Sequence, residues 1–221
     1  SLFWSTTGTP TDWTSDSSSV LIPGAGKLLA VLKSGDDIVA AKNTGLMFKY
    51  DENNLVDYST EFGPTSLRSI DKIEDNAIYI NRHGFFNLGK GESPENISLP
   101  ISRQISNDAG EGIIGTAFDD APAVIHQYRY YCSIGTVTDD LTDETIPNCV
   151  AVYDIRNNEW WNYSFANNPT AWLSWVDASG VPRLIFGSGS NGQCFEISGT
   201  ATSDNGSTIE AVMEGILTAD L

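Results

Sequence analysis

The amino-acid sequence predicts an all-β fold built from a repeated unit of short strands. Three segments share one pattern, in which a β run, a tight turn containing glycine and a second β run follow one another: 37–50, 76–88 and 183–197. Gly45 and Gly192 hold the same place in the first and last copies and lie 147 residues apart (192 − 45), close to three periods of about fifty residues. Self-similar units of short strands at this period are typical of propeller blades.

We therefore predict a β-propeller of about four blades, or five if the chain is part of a longer protein. Apolar runs bounded by Gly, Asn, Asp, Ser and Pro supply the strands, and helical periodicity is nearly absent. The first two blades are predicted at 28–33, 38–42, 46–50 and 55–59, and at 67–72, 77–81, 85–88 and 97–101. The last two are predicted at 123–128, 130–135, 149–155 and 160–164, and at 171–177, 183–187 and 193–198.

The fourth predicted blade has no obvious outer strand. Residues 2–5 (LFWS) form an apolar β run without a partner of their own, so we expect them to pair with 193–198 and close the ring. The propeller domain is then predicted at 1–200. Residues 201–221 are predicted to leave it toward a further domain or partner, because Ile209, Ala211 and Met213 alternate like a strand.

The charge of the chain limits its partners. The 221 residues carry a net charge of −17, so recognition of nucleic acid, which depends on Lys and Arg at phosphates, is not expected. An acidic surface that keeps a β protein soluble is the simpler reading of this charge. No apolar stretch approaches the roughly eighteen residues of a membrane span, so we predict none.

The cysteines fit no zinc or redox spacing. Cys132, Cys149 and Cys194 each fall in a predicted strand, so we expect small buried side chains. Cys132 and Cys149 lie on neighbouring predicted strands and could approach each other, but the odd total argues against a disulfide framework.

Groups for catalysis or metal binding are sparse, and we predict a protein that is not an enzyme and has no cofactor or metal. His83 and His126 lie in different blades, and no nucleophile motif accompanies either. Asp139, Asp140, Asp143 and Glu144 cluster in a predicted polar loop at 136–147, where carboxylates could hold Ca²⁺. The spacing of a calcium loop is missing, so a solvated acidic loop is the favoured reading.

Trp160 and Trp161 are the candidate interface residues. Neighbouring side chains of a strand point to opposite faces, so one ring is expected between blades and the other exposed or covered by a partner. The alternative is burial of both rings inside the fold.

Three glycines are predicted to have a structural role in turns. Gly45, Gly84 and Gly192 each follow two polar residues and precede an apolar strand. Tight hairpins need positive φ values, which glycine adopts without steric cost. At least two of the three are expected to have positive φ.

Several phrases of the chain resemble virion β-propeller proteins of tailed bacteriophages, of the tail nozzle or head–tail connector type. The phrases are LFWSTTGTPTDWT, VLKSGDDIVAAKNTGLMFKY and NCVAVYDIRNNEWWNYSF, followed by the closing TIEAVMEGILTAD. The resemblance implies a structural, non-enzymatic protein of the virion that assembles with other virion proteins. It also implies a homo-oligomeric ring formed through a region outside the propeller. A carbohydrate-binding, lectin-like propeller is the alternative, suggested by the aromatic residues and the Asn/Asp-rich turns.

Overall fold

The computed structural model consists of β-strands joined by turns. It describes residues 2–3, 19–20, 22–34, 37–51, 54–59, 61–89, 93–101, 120–138, 145–198, 203–204 and 207–208. Over these ranges the helical content is limited to two 3-10 turns, Leu67–Ser69 and Leu99–Ile101, so the predicted all-β class is confirmed. No helix within the described ranges is long and apolar enough to cross a membrane.

A short N-terminal pair of strands, β1 (Leu2–Phe3) and β2 (Ser19–Val20), precedes four antiparallel sheets. Sheet 1 contains β3 (Leu28–Ser34), β4 (Asp37–Lys42), β5 (Met47–Asp51) and β6 (Asn54–Ser59). Sheet 2 contains β7 (Asp71–Ile73), β8 (Asn76–Asn81), β9 (Gly84–Leu88) and β10 (Glu95–Asn96). Sheet 3 contains β11 (Ala123–His126), β12 (Arg129–Thr138), β13 (Thr145–Asp154) and β14 (Glu159–Ser164).

Sheet 4 contains three described strands, β15 (Pro169–Val176), β16 (Pro182–Ser188) and β17 (Cys194–Glu196). In all four sheets, strands that are neighbours in the chain are neighbours in the sheet. A final pair, β18 (Ser203–Asp204) and β19 (Ser207–Thr208), follows sheet 4. Most of the predicted exit segment and the acidic residues 139–144 lie outside the described residues.

The predicted ring closure by the N-terminal strand is wrong for the described residues. Leu2 and Phe3 pair with Val20 and Ser19, and not with the strand around Cys194–Glu196. The local pairing encloses only residues 4–18, whereas the predicted one spans nearly the whole chain. Closing a short flexible loop costs less entropy than closing a long one, so the local pairing is favoured while the chain is still unfolded.

Three predicted segments differ from the observed strands. The polar loop predicted at 136–147 is strand at both of its ends, because β12 continues to Thr138, β13 begins at Thr145, and Val137 lies opposite Ile146. The strand predicted at 67–72 is instead a 3-10 turn followed by the short β7; the turn begins where Ser66 Oγ accepts from Arg68 N at 3.2 Å. The strand predicted at 97–101 lies earlier, as β10, since Pro100 sits in a second 3-10 turn.

The four sheets pack face to face in chain order. One buried cluster joins sheets 1 and 2 through residues such as Val39, Met47 and Tyr79. A second joins sheets 2 and 3, with Phe85 and Tyr130 at its centre. The first strands of sheets 2, 3 and 4 also meet, since β11 contacts both β7 and β15.

A third buried cluster joins sheets 3 and 4 through Val124, Tyr131, Val150, Val152 and Leu184. Sheets 2 and 3 therefore bury both of their faces, which explains the nearly continuous apolar run in β8 and the middle of β13.

Candidate functional site

The tryptophan pair on β14 lies between sheets. Trp160 packs against Phe85 of sheet 2 and Tyr153 of its own sheet, with ring centroids 4.8 Å apart in both cases. Its Nε1 donates to the backbone oxygen of Ile97 at 2.8 Å. This ring therefore joins sheet 3 to sheet 2 by packing and by one hydrogen bond.

Trp161 points to the opposite face, as strand alternation predicts. It packs against the cluster between sheets 3 and 4, and the Arg129 guanidinium lies 5.3 Å from the centroid of its ring. The indole Nε1 is buried without a hydrogen-bond partner in the described part of the chain. Both rings are partly buried, one on each side of the strand, so the structure has two-sided burial. A partner-binding role for Trp160 and Trp161 stays a prediction.

Each inter-sheet contact contains an aromatic ring that also donates a hydrogen bond. Between sheets 1 and 2, Tyr79 Oη donates to the Phe62 carbonyl at 2.9 Å. Tyr130 Oη donates to the Ser69 carbonyl at 2.6 Å between sheets 2 and 3. Trp172 Nε1 donates to Ser133 Oγ at 3.0 Å between sheets 3 and 4. Burial raises the pKa of Tyr79 and Tyr130, so both phenols stay protonated and able to donate.

A small cleft of about 190 Å³ opens where the segments leading into sheets 2, 3 and 4 come together, beside Ser133 and Gly135 of β12. Arg68 lies in it and forms an ion pair with Asp120 at 2.7 Å; the same guanidinium donates to the Thr170 carbonyl. The side chains of Arg68 and Asp120 are 42% and 77% exposed, so the ion pair itself contributes less than about 1 kcal/mol. No role was predicted for Arg68 from the sequence, although cations are uncommon in this acidic chain.

A second, wider cleft of about 380 Å³ lies between the outer part of sheet 1 and the segment before β10. Asp57, Tyr58, Ser59, Phe62, Ser93 and Pro94 line it. Phe62 is 39% exposed and stacks on Phe86, with ring centroids 5.5 Å apart. An aromatic face beside a carboxylate is chemistry that suits a sugar ring, and the sequence analysis did not identify this place.

The two histidines lie in separate places. His83 is in the β8–β9 turn, where its ring meets the edge of Phe62. His126 is buried between sheets 3 and 4, and its Nδ1 is 2.9 Å from Ser174 Oγ. Burial lowers the pKa of His126, so the ring is neutral at neutral pH. The pair is enclosed by packed sheets, so its geometry fits an inter-sheet hydrogen bond rather than attack on a substrate.

Two of the three cysteines match the expected burial. Cys132 and Cys149 are fully buried in the cluster between sheets 2 and 3, and burial raises the pKa of each thiol to about 12. Both thiols are therefore unreactive at neutral pH. The expected burial of Cys194 is wrong: it lies on the face of sheet 4 that points away from sheet 3, and it is exposed.

The three glycines have φ values of +83° at Gly45, +131° at Gly84 and +67° at Gly192, which confirms the predicted positive φ. Gly45 and Gly192 are left-handed turn residues, whereas Gly84 begins β9 and pairs with Asn81. A Cβ on Gly45 would lie 2.7 Å from the Glu61 carbonyl oxygen, and one on Gly84 would lie 2.2 Å from Ser98 Oγ. At Gly192 a Cβ would meet nothing within 4 Å. The first two positions thus require glycine for space as well as for conformation.

No group of three or more His, Cys, Asp or Glu side chains able to hold a metal ion occurs among the residues that the structure describes.

Comparison with known proteins identifies structural similarity alone. No family model matches the chain, and no curated protein matches it. Among solved structures, the computationally designed proteins Ika4 and Ika8 align with TM-scores of 0.46 and 0.42 at 12% and 11% identity. The alignments cover 80% of this chain and 94% of Ika4, and 76% of this chain and 44% of Ika8.

BamB from Moraxella catarrhalis aligns with a TM-score of 0.34 at 16% identity, over 79% of this chain and 64% of BamB. The chain thus spans less than two thirds of BamB and less than half of Ika8.

Proposed function

We propose that the four sheets are blades of a β-propeller. Three features support this arrangement: consecutive strand order within each sheet, face-to-face packing of successive sheets, and contact between the first strands β7, β11 and β15. In a propeller the first strand of each blade lies nearest the axis, so neighbouring first strands meet. Sheet 4 with its three described strands is the last blade of this set.

We further propose that the chain is a structural, non-enzymatic component of a tailed-phage particle, in its tail, nozzle or head–tail connector. The observation that carries the proposal is the pair of sheet faces at the two ends of the stack. These faces expose aliphatic side chains, with Leu173 56% exposed and Val31 50% exposed, in a chain whose net charge is −17. Exposed apolar surface on a strongly charged protein is typical of a contact with another protein.

The proposed partners are other virion proteins, as the resemblance to phage propellers implies. The buried, neutral His126 and the unreactive thiols Cys132 and Cys149 are consistent with a chain that works by assembly rather than by chemistry. The acidic surface keeps the particle component soluble before assembly.

Location in the particle tests this function. Tailed particles purified from a culture that produces the chain would be analysed by mass spectrometry and by immunogold electron microscopy. We expect stoichiometric peptides of the chain in the particles and label at the tail or the connector. Peptides confined to the soluble lysate, with none in washed particles, would overturn the virion role.

A carbohydrate-binding function is the second candidate, supported by the cleft of Phe62, Tyr58 and Asp57. Glycan-array binding by the purified chain, lost in Phe62→Ala, would favour it. Tyr163→Ala is the matched control, because Tyr163 is also 39% exposed but lies on β14, away from the cleft. Under the virion proposal, neither variant changes the array signal.

A further inference from the structure

The turn between β16 and β17 contains an asparagine followed by a glycine. Asn191 and Gly192 are both exposed, and Gly192 has a φ of +67°. A Cβ on Gly192 would meet nothing within 4 Å, so the space around its backbone is open. Every other asparagine among the described residues precedes a residue that has a side chain. The pair is therefore distinct in sequence and in its surroundings.

An asparagine that precedes glycine is open to attack by its own backbone. The amide nitrogen of the glycine bonds to the side-chain carbonyl carbon of the asparagine, and ammonia leaves with the proton that this nitrogen gives up. The resulting five-membered succinimide takes up one water and opens to either aspartate or isoaspartate. Glycine permits the ring closure because no Cβ hinders its nitrogen. Water is the only co-reactant, and solvent reaches an exposed turn.

Hydrogen bonds hold the native turn against this reaction. Asn191 Oδ1 accepts from Gln193 N at 3.0 Å, and Asn191 Nδ2 donates to Gln193 Oε1 at 3.0 Å. The Gly192 N–H donates to the Ser188 carbonyl at 3.2 Å, which is the long end of the normal range. Residues 189–193 are exposed, and an exposed turn opens at a much lower free energy than the whole chain unfolds. Such openings free both the nitrogen and the side chain.

We propose that Asn191 is a deamidation site of the folded protein, with the Gly192 nitrogen as the attacking group, and that its two products affect β17 differently. The reaction proceeds through openings of the turn, so it is slower in the folded chain than in the unfolded chain. This chemistry is independent of any role in a virion.

The aspartate product fits the turn. Asn191 Nδ2, the atom that becomes an oxygen, lies 3.4 Å from Asn167 Oδ1. Asn167 Nδ2 is buried without a hydrogen-bond partner in the part of the chain that the structure describes. Half a turn of the Asn167 amide directs this donor to the new carboxylate, and the Gln193 amide can rotate in the same way. The retained oxygen still accepts from Gln193 N.

The isoaspartate product does not fit the turn. Its backbone runs through the former side chain, so the path from Ser188 to Gln193 becomes one carbon longer. The native turn is closed by the Ser188 N–H, which donates to the Gln193 carbonyl at 2.8 Å. Loop length sets the register of a hairpin, and β17 has only the three residues Cys194–Glu196 with which to keep its register. This product should therefore loosen the pairing of β17 with β16.

Peptide mass spectrometry on the 221-residue chain tests the site, after incubation at mildly alkaline pH in buffer and, in parallel, in urea. Cleavage after glutamate separates Asn191 from Asn205, which also precedes glycine and lies outside the described residues. Asn158 is the matched internal control, because it is exposed in a turn with a φ of +61° but precedes Glu159. We expect Asn191 to become a mixture of aspartate and isoaspartate in the folded chain, more slowly than in urea, while Asn158 stays intact.

Hydrogen–deuterium exchange tests the effect on β17. The variant Asn191→Asp represents the aspartate product and should exchange the amides of 194–196 at the wild-type rate. In deamidated wild type, the fraction of molecules that contains isoaspartate should exchange them about tenfold faster.

Two results would overturn the site: an Asn191 that stays intact in the folded chain while it converts in urea, or in both samples, and equal conversion of Asn158. Fast exchange in Asn191→Asp, or exchange in deamidated wild type that equals that of Asn191→Asp, would overturn the difference between the two products.

Discussion

The two faces of β15 differ in burial, as do the two faces of the sheet to which it belongs. Trp172 points toward sheet 3, where it contacts Tyr131 and donates a hydrogen bond to Ser133, and it also packs on Phe186 of its own sheet. The next residue, Leu173, points away and is 56% exposed. The two side chains are neighbours on one strand, yet one belongs to a packed interior and the other to an open surface.

The difference shows that stability and assembly are divided between faces of the same sheet. The covered face holds side chains whose removal leaves a cavity, so it determines whether the sheets stay together. The open face has lost little contact with water on folding, so it contributes little to folding and is available for association. Substitutions on the two faces should therefore separate folding from binding.

The largest expected effect is at the contact of sheets 2 and 3. Trp160→Ala removes the ring that packs on Phe85 and Tyr153 and leaves the Ile97 carbonyl without its donor. We expect a loss of about 4 kcal/mol in the free energy of unfolding, measured by urea denaturation. Trp161→Ala should cost clearly less, because its indole N–H makes no hydrogen bond within the described residues. Equal losses would contradict the assignment of Trp160 as the more important ring.

Sheet 4 provides the direct comparison between faces. Leu184 is 2% exposed on the covered face, and Leu184→Ala should cost about 3 kcal/mol through the cavity that it leaves. Leu173→Ala should change the stability of the monomer by no more than about 0.5 kcal/mol. Thermal or chemical denaturation at low protein concentration measures both. A large loss of stability for Leu173→Ala in the monomer would mean that the outward face of sheet 4 is already covered within one chain.

Turn glycines should show a smaller and graded effect. Gly45→Ala must strain a left-handed residue and displace the Glu61 backbone, so we expect a loss of about 2 kcal/mol. Gly192→Ala creates backbone strain but no steric clash, so we expect a loss of about 1 kcal/mol in the free energy of unfolding. Gly187→Ala, where a Cβ would lie 3.9 Å from Ala171 Cβ and φ is not positive, is the control in thermal melts. A larger loss of stability for Gly192→Ala than for Gly45→Ala would contradict the close approach of the Glu61 backbone to Gly45.

The smallest expected effect is a pH dependence at the contact of sheets 3 and 4. Burial lowers the pKa of His126 in the folded chain, so the unfolded chain binds a proton first as the pH falls. Above about pH 6.5, the ordinary pKa of histidine, His126 is neutral in both the folded and the unfolded chain and its stabilising contribution is complete. That contribution is lost as the pH falls from about 6.5 to the lower pKa of His126 in the folded chain. Unfolding midpoints of wild type and His126→Gln should diverge over this window. If the unfolding midpoints of the two proteins change with pH in the same way, His126 does not cause the pH dependence.

Sequence patterns were sufficient for most strands because alternation and turn residues are local signals. The strands of sheet 1 begin and end within a residue of the predicted positions, and the glycine turns have the expected φ. The turn at Gln127 and Tyr128 was missed. Both residues have positive φ, at 50° and 64°, and neither is a residue type that favours it. The Arg156 guanidinium lies 3.7 Å from the centroid of the Tyr128 ring, a contact between two turns of sheet 3 that the local pattern does not contain.

Features that depend on distant contacts could not be predicted in the same way. The exposure of Cys194 follows from the outward side of sheet 4, which alternation alone cannot distinguish from the inward side. The position of Arg68 beside Asp120 and Thr170 requires three sheets to be arranged correctly. The N-terminal pairing was missed because a two-residue strand matches many partners, and its choice depends on loop length rather than on pattern.

The hydrogen bonds donated by Tyr79, Tyr130, Trp160 and Trp172 have a consequence for how the sheets can move past one another. Apolar burial is roughly proportional to area and is not directional, so it changes little when one sheet slides along another by a fraction of a residue. The indole N–H or phenol O–H of each ring, in contrast, donates to one particular backbone or side-chain acceptor. Such a displacement would break that hydrogen bond and leave a buried donor unsatisfied. Each sheet is thereby fixed along the strand direction as well as held in contact. Removing only the polar atoms, as in Tyr130→Phe, would release a sliding motion while the sheets remain in contact.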